Sequence, residues 1–144
     1  MAHNRLGECV YDEALGLSYV SKNNQYGKFE GSAYCDMDDS DIKNKWDGMR
    51  IAEFRCDQKI QKAKAKEMTS RARGIQHAYN VLKNTYGQSN EVVAALGWQA
   101  QIAQREARRE TTRYHEMRDN GRAYIEGIVN ARRKFREKYP ATLE

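Results

Sequence analysis

The sequence predicts an α+β fold, mostly α-helical: an N-terminal β-hairpin, a long antiparallel helical hairpin and a short C-terminal helix. Apolar residues alternate on both sides of a polar turn within residues 10–38, which is typical of two paired strands. From residue 40 the apolar residues recur every three or four positions, as in helices. Charged residues make up 31% of the 144 residues, a proportion typical of long, solvent-exposed helices. We expect one domain, 1–144.

The hairpin is predicted over residues 10–38, with the polar segment 21–27 as its turn. The alternating residues are Leu15, Leu17 and Tyr19 in the first strand and Phe29, Ala33, Cys35 and Met37 in the second. Pairing Tyr19 with Phe29 would gather them on one apolar face. An isolated hairpin is marginally stable, so this face needs a helix or a partner chain to cover it.

The first long helix is predicted over residues 40–86. A basic insert, QKAKAKE at residues 61–67, slips its apolar period by one residue. The helix must therefore either rotate its buried face there or break. Such a slip usually means that the two ends of a helix pack against different partners.

A second helix is predicted over residues 90–118, with Asn90 as its N-cap. Its apolar face consists mostly of small residues, which allow another helix to approach closely and favour a helical hairpin. Asp119, Asn120 and Gly121 predict a stop. A third helix then follows over residues 122–138.

Four aspartates lie within the stretch YCDMDDSDIKN at residues 34–44. A calcium loop is disfavoured because its sixth and twelfth positions would be Asp41 and Asp47 rather than Gly and Glu. The carboxylates instead suit the positive end of a helix that starts nearby, although some could also face a basic surface. The three cysteines are widely spaced and contain no CxxC pair, which argues against a disulfide framework and a structural zinc site. We expect no metal and no cofactor.

Charge is divided along the chain. Residues 1–57 carry 7 basic and 11 acidic side chains, whereas residues 58–144 carry 18 basic and 9 acidic ones. The basic half could meet a nucleic acid, a nucleotide or an acidic protein. The acidic half could equally meet the basic half of a second copy.

Neither catalysis nor membrane insertion is expected. His3, His77 and His115 belong to no recognisable nucleophile, phosphate-loop or metal pattern, so the sequence predicts a protein that is not an enzyme. No stretch approaches the roughly 20 apolar residues of a membrane span. No signal peptide is recognised at the start, so we expect a soluble, cytoplasmic protein.

Residues 10–60 resemble a group of small tailed-phage proteins. The shared pattern is a strand reading Phe-x-Gly-x-Ala-x-Cys, an acidic turn, and a helix containing Gly-x-x-Ile-Ala-Glu-x-Arg. It is carried here by Phe29, Gly31, Ala33, Cys35, Asp38, Asp39, Gly48, Ile51, Ala52, Glu53 and Arg55. Within that group the chain resembles the anti-Thoeris sponges, which sequester cyclic ADP-ribose-type immune signals. Two features depart from that pattern: Asp36-Met37 replaces a frequent His-Pro, and the basic second half has no counterpart.

The resemblance implies a phage-encoded inhibitor that binds an anionic nucleotide signal in the cytoplasm of the infected bacterium. A site for such a ligand needs arginines for phosphates and aromatic rings for the base. The candidate ligand-binding residues are Phe29, Tyr34, Arg50 and Arg55. The competing interpretation places Phe29 in the core and pairs the two arginines with Asp47 and Glu53.

The basic helices offer an alternative partner, a nucleic acid or a defence nucleoprotein complex, as bound by anti-CRISPR-like blockers. The residues of that candidate face are Lys59, Lys62, Lys66, Arg105, Arg108, Arg109 and Arg113. Glutamates interleaved among them could instead neutralise the face. A phage structural or assembly accessory is a further alternative. In every case we expect a homo-oligomer, because one copy can scarcely cover the apolar surface of such thin elements.

Overall fold

The computed structural model describes residues 7–34 and 45–138. A three-stranded antiparallel sheet is followed by two long helices, so the α+β, mostly α-helical class is confirmed. The elements are β1 Glu8–Asp12, β2 Leu17–Asn24, β3 Gly27–Tyr34, α1 Lys45–Tyr86 and α2 Glu91–Lys138. Unit 1 contains the described residues up to Ile60 and from Glu116 onward; unit 2 is Gln61–His115.

The aspartate-rich stretch lies outside the described residues. This applies to the predictions for Asp36, Asp38, Asp39 and Asp41, and to the predicted helix start at residue 40. Helix α1 is described from Lys45.

The sheet has the order β1-β2-β3, so it contains one strand more than the predicted hairpin. The residues of β1 and the start of β2 were predicted to form one strand. A turn at residues 13–16 separates them: the Asp12 carboxylate accepts a hydrogen bond from the Leu15 N–H at 3.2 Å, and Gly16 has a φ of 65°. Leu15 therefore lies in the turn and is exposed.

The predicted strand register is wrong. Phe29 pairs with Lys22 rather than with Tyr19, because Asn24 and Gly27 already pair and leave a turn of two residues. The buried residues on the core face of β2 are consequently Ser18 and Val20, opposite Ala33 and Gly31. Ser21 is buried too, on the other side of the strand. The face of β2 that was predicted to be covered, which carries Leu17 and Tyr19, is therefore the one that faces away from the core.

The core of unit 1 forms where the sheet meets α1. Val20 and Ala33 are buried together with Ala52 and Cys56 of the helix. A Cβ on Gly31 would lie 2.0 Å from the Ala52 carbonyl oxygen. The glycine therefore allows the strand to approach the helix backbone directly.

Unit 2 is an antiparallel pair of helices with a core of small residues. Its buried apolar residues are Ala65, Ala72, Val93, Ala100 and Ala107. Gly87 ends α1 with a φ of 85°. The Asn90 side chain accepts from the N–H groups of Val92 and Val93 at 2.9 and 3.3 Å, which confirms the predicted N-cap.

The predicted separate C-terminal helix is not present. Helix α2 continues without a break through Asp119, Asn120 and Gly121 to Lys138. A glycine inside a helix costs only about 1 kcal/mol, so a helix of 48 residues can contain it. Among the described residues, no helix has a stretch long and apolar enough to cross a membrane.

Helix α1 is also continuous across the basic insert. Its buried positions step from Ala52 and Cys56 to Gln61 and Ala65, a spacing of five in the middle. The helix therefore rotates its buried face instead of breaking. The boundary between the two units falls at the same point, between Ile60 and Gln61.

Candidate functional site

A cavity of about 480 Å³ lies between the two helices of unit 2. We call it the hairpin groove. Its lining residues are Thr69, Ala72, Arg73, Gln76, His77 and Asn80 of α1 and Gln104, Ala107, Arg108 and Thr111 of α2. A volume of this size lies within the range of ordinary small-molecule sites.

The floor of the hairpin groove is apolar because small side chains hold the two helices together. Ala72 and Ala107 are both buried. The hydroxyls of Thr69 and Thr111 donate to carbonyl oxygens one turn earlier in their own helices, at 2.8 and 2.9 Å. Their hydrogens are therefore committed, and the hydrogen-bond donors of the groove must come from other residues.

The charged lining residues of the hairpin groove are cationic. Arg73 and Arg108 are exposed, and neither makes an ion pair within residues 7–34 and 45–138. His77 is exposed beside them, and no carboxylate belongs to the lining. Two guanidinium groups without an internal counter-charge attract an anion and can each bind it through two parallel hydrogen bonds.

Three carboxamides form a directed chain in the same groove. Gln104 Nε2 donates to Gln76 Oε1 at 2.7 Å, and Gln76 Nε2 donates to Asn80 Oδ1 at 3.0 Å. The chain ends with the amide hydrogens of Asn80 on one side and the carbonyl oxygen of Gln104 on the other. Such groups can pair with the donors and acceptors of a heterocycle.

Glu110 is a buried acid of unit 2, and its charge is compensated locally. Gln61 Nε2 donates to its carboxylate at 2.7 Å, while Lys64 and Arg113 each lie 3.5 Å from it. The bond from Gln61 lowers the pKa of Glu110; burial opposes this effect, and the two cations reinforce it. Glu110 is not among the residues that line the hairpin groove.

The four predicted ligand-binding residues lie in different environments. Phe29 packs against the core cluster of unit 1, whereas Tyr34 is 70% exposed at the end of β3. The Arg55 guanidinium donates to the Ser32 carbonyl oxygen at 2.6 Å. Arg50 lines a second cavity, whose lining includes none of the other three.

That second cavity, about 640 Å³, belongs to unit 1. Arg50 lies 5.8 Å from the ring centroid of Tyr124, and Tyr11 and Trp46 add aromatic surface. Two carboxylates, Asp47 and Glu53, also line it. The cavity therefore offers aromatic faces with mixed charge, which suits an anion less well than the hairpin groove does.

The predicted basic face is only partly available for a partner. Lys59 donates to the Glu30 carbonyl oxygen at 2.8 Å, and Arg113 pairs with Glu110 at 3.5 Å. Lys62, Lys66, Arg105 and Arg109 are exposed and make no ion pair in the described parts of the chain. Arg108 is the member of the set that lines the hairpin groove.

Arg73 and the three carboxamides were not predicted from the sequence. A signal for the arginines exists: Arg73 directly follows the buried Ala72, and Arg108 directly follows the buried Ala107. A residue next to a buried position of a helix lies at the rim of that face. The carboxamides carried no comparable signal, because their pairing depends on the alignment of the two helices.

No group of three or more potential metal-binding side chains occurs among the described residues. Comparisons of this chain with known protein families, with characterised proteins and with solved structures found no match.

Proposed function

We propose that this protein acts by binding an anionic, nucleotide-type small molecule in the hairpin groove. The observation that carries the proposal is the pair Arg73 and Arg108, which make no ion pair with any residue that the structure describes and line a groove without a carboxylate among its described lining residues. A phosphate or pyrophosphate would accept hydrogen bonds from both guanidinium groups.

The other lining residues suit the rest of a nucleotide. The apolar floor around Ala72 and Ala107 can accept the flat face of a base or the carbon side of a ribose. The amide hydrogens of Asn80 and the carbonyl oxygen of Gln104 can pair with a base edge. Self-association across the groove is disfavoured, because a second copy would bring further arginines against the same charges.

We place this binding activity in a phage-encoded inhibitor that retains a nucleotide immune signal in the cytoplasm of the infected bacterium. The resemblance of residues 10–60 to anti-Thoeris sponges supports this setting. Sequestration requires retention and no chemical step, so the ligand should leave the protein unchanged. Homo-oligomerisation stays a prediction, to be tested by size-exclusion chromatography with light scattering.

The test is calorimetric titration with a panel of cyclic and linear ADP-ribose nucleotides, with inorganic pyrophosphate as the minimal anion. We expect saturable binding of at least one nucleotide and weaker binding of pyrophosphate. Heating the complex should then release a ligand of unchanged mass in mass spectrometry. A ligand of altered mass would identify an enzyme and overturn the proposal of sequestration.

The site is tested by Arg73→Gln and Arg108→Gln. Each change should weaken binding about tenfold or more, because a charge-assisted hydrogen bond contributes roughly 1.5–3 kcal/mol. Arg71→Gln is the matched control, since Arg71 lies on the same helix, pairs with Glu67 at 3.5 Å and does not line the groove. Equal losses in all three variants would mean that only the overall charge matters.

A further inference from the structure

Two large apolar side chains are exposed on α2. Trp98 is 67% exposed and Ile102 is 49% exposed. They lie one turn apart, each two positions from the buried Ala100, and two positions place a side chain more than half a turn around the helix. Their exposure is thus explained by their position on the side of α2 that faces away from α1.

The same side of α2 continues with two arginines. Trp98, Ile102, Arg105 and Arg109 follow steps of four, three and four, so they form one stripe about 16 Å long; we call it the Trp98 stripe. Arg105 and Arg109 are exposed and have no ion-pair partner in the described segments. Glu106 borders the stripe, because it lies three positions before Arg109, but it makes no ion pair with Arg105 or Arg109 in the described segments.

The charge around the stripe favours a polyanion. Unit 2 contains ten basic and four acidic side chains. Of the four acids, Glu67 pairs with Arg71, and Glu110 is held by Lys64 and Arg113. A phosphodiester backbone would therefore meet positive potential along this unit, whatever its sequence.

We propose that the Trp98 stripe binds single-stranded nucleic acid. An exposed indole face is a stacking platform for an unpaired base, while Ile102 packs beside it. Arg105 and Arg109, one helical turn apart, would bind backbone phosphates. This surface is separate from the hairpin groove, so the proposal does not depend on the function proposed above.

Other occupants fit the stripe less well. A protein interface commonly buries about 800 Å² per partner around an apolar core, and here the apolar part consists of Trp98 and Ile102. A second copy packed in parallel would oppose arginine to arginine, and an antiparallel copy would press the charged guanidinium groups against the apolar pair. A nucleic-acid duplex offers phosphates but keeps its bases stacked on one another, so it would leave the indole unused.

The test uses the intrinsic fluorescence of Trp98. The chain has two tryptophans, so Trp46→Phe in the full-length protein leaves Trp98 as the reporter. Titration with a twelve-residue oligothymidine should quench this fluorescence, and affinity should fall as salt rises. If Trp46→Phe impairs folding, anisotropy of a labelled oligothymidine with the unmodified protein gives the same binding curve.

Two variants separate stacking from charge. Trp98→Leu should weaken oligothymidine binding by roughly fivefold to a hundredfold, since base stacking on an aromatic contributes about 1–3 kcal/mol. Arg105→Gln with Arg109→Gln should weaken binding and lower the slope of log affinity against log salt by about 1.4. Arg71→Gln, at an ion-paired surface position, should change neither the quenching nor the slope by a comparable amount.

Three results would overturn the proposal. Oligothymidine could fail to quench Trp98, duplex DNA could bind equally well with equal quenching, or polyglutamate could match oligothymidine, which would indicate a surface for acidic polypeptides. Binding of ADP-ribose nucleotides by the Trp98→Leu variant should be unchanged. A failure of the stripe is therefore distinguishable from a failure of the hairpin groove.

Discussion

Gln61 on α1 donates from Nε2 to two acceptors of Glu110 on α2, the backbone carbonyl oxygen at 3.0 Å and the carboxylate at 2.7 Å. Both residues are buried. The pair fixes the alignment of the two helices in unit 2, because a shift of either helix would leave a buried polar group without its partner.

This pair predicts a pH dependence. The Gln61 bond and the two nearby cations lower the pKa of Glu110 against the effect of burial. A carboxylate with a lowered pKa stabilises the fold above its unfolded pKa, 4.5 for Glu, and this contribution is lost as the pH falls through the lower folded value. As the pH falls below about 4.5, the free energy of unfolding should therefore decrease less for Glu110→Gln than for the wild type.

The measurement is urea unfolding of both proteins between pH 3 and pH 7. Glu116→Gln, at an exposed position, controls for the removal of one charge. The prediction fails if the difference in unfolding free energy between wild type and Glu110→Gln is constant across this range.

Gly31→Ala should destabilise unit 1. The added methyl would lie 2.0 Å from the Ala52 carbonyl oxygen and 2.5 Å from the Cys56 nitrogen, so strand and helix backbones would have to separate. Overpacking of this kind costs about 2–3 kcal/mol. Gly74→Ala is the control: its Cβ would contact nothing within 4 Å, and it should stabilise the helix by about 0.5–1 kcal/mol.

Thermal and urea unfolding of the two alanine variants check this prediction. The free energy of unfolding is expected to decrease in Gly31→Ala and to increase in Gly74→Ala. Equal stability of Gly31→Ala and the wild type would mean that β3 and α1 are not in direct backbone contact.

Lys22→Met should weaken the attachment of the sheet to α1. Lys22 Nζ lies 2.7 Å from an Asp57 carboxylate oxygen and 3.4 Å from one of Glu53. Burial alone would lower the pKa of Lys22. The hydrogen bond to Asp57 and the negative charges of Asp57 and Glu53 outweigh the effect of burial, so the pKa of Lys22 is raised. We expect a loss of about 1–2 kcal/mol, allowing for the partial exposure of the acids.

A raised lysine pKa also has an alkaline signature. The contribution of Lys22 is complete below its unfolded pKa of 10.5 and is lost as the pH rises through the higher folded value. The destabilisation of Lys22→Met, measured by urea unfolding, should therefore shrink above about pH 10.5. Lys62→Met, at an exposed position without an ion pair in the described segments, should change stability by less than about 0.5 kcal/mol at any pH.

Helical periodicity was the most informative part of the sequence. It predicted two long helices. The phase slip at residues 61–67 indicated a change of packing partner, and the boundary between the two units falls at the start of this segment. The stop predicted from Asp119, Asn120 and Gly121 was wrong, since Gly121 lies inside α2. A single glycine is a weak stop signal, because it costs only about 1 kcal/mol inside a helix.

The strand register could not be predicted from alternation. The buried face of the sheet carries Ser18, Gly31 and Ala33, because helix backbone approaches it closely. The larger Leu17 and Tyr19 lie on the other face. Val20 is the bulky apolar residue of β2 that lies on the buried face, so the size of the side chains alone does not identify which face of the strand is buried.

The hairpin groove could not be predicted from the sequence for a similar reason. Arg108 was recognised as a basic surface residue, yet its combination with Arg73 and the carboxamide chain requires the pairing of α1 with α2. Sequence distance conceals this: Gln76 and Gln104 are 28 positions apart.

The central claim is that the hairpin groove binds an anionic nucleotide. Its most direct test is calorimetric titration of ADP-ribose nucleotides into the wild type, the double variant Arg73→Gln with Arg108→Gln, and the Arg71→Gln control. The account predicts saturable binding to the wild type and the control, and a loss of about a hundredfold or more in the double variant. Unchanged affinity in a correctly folded double variant would contradict it.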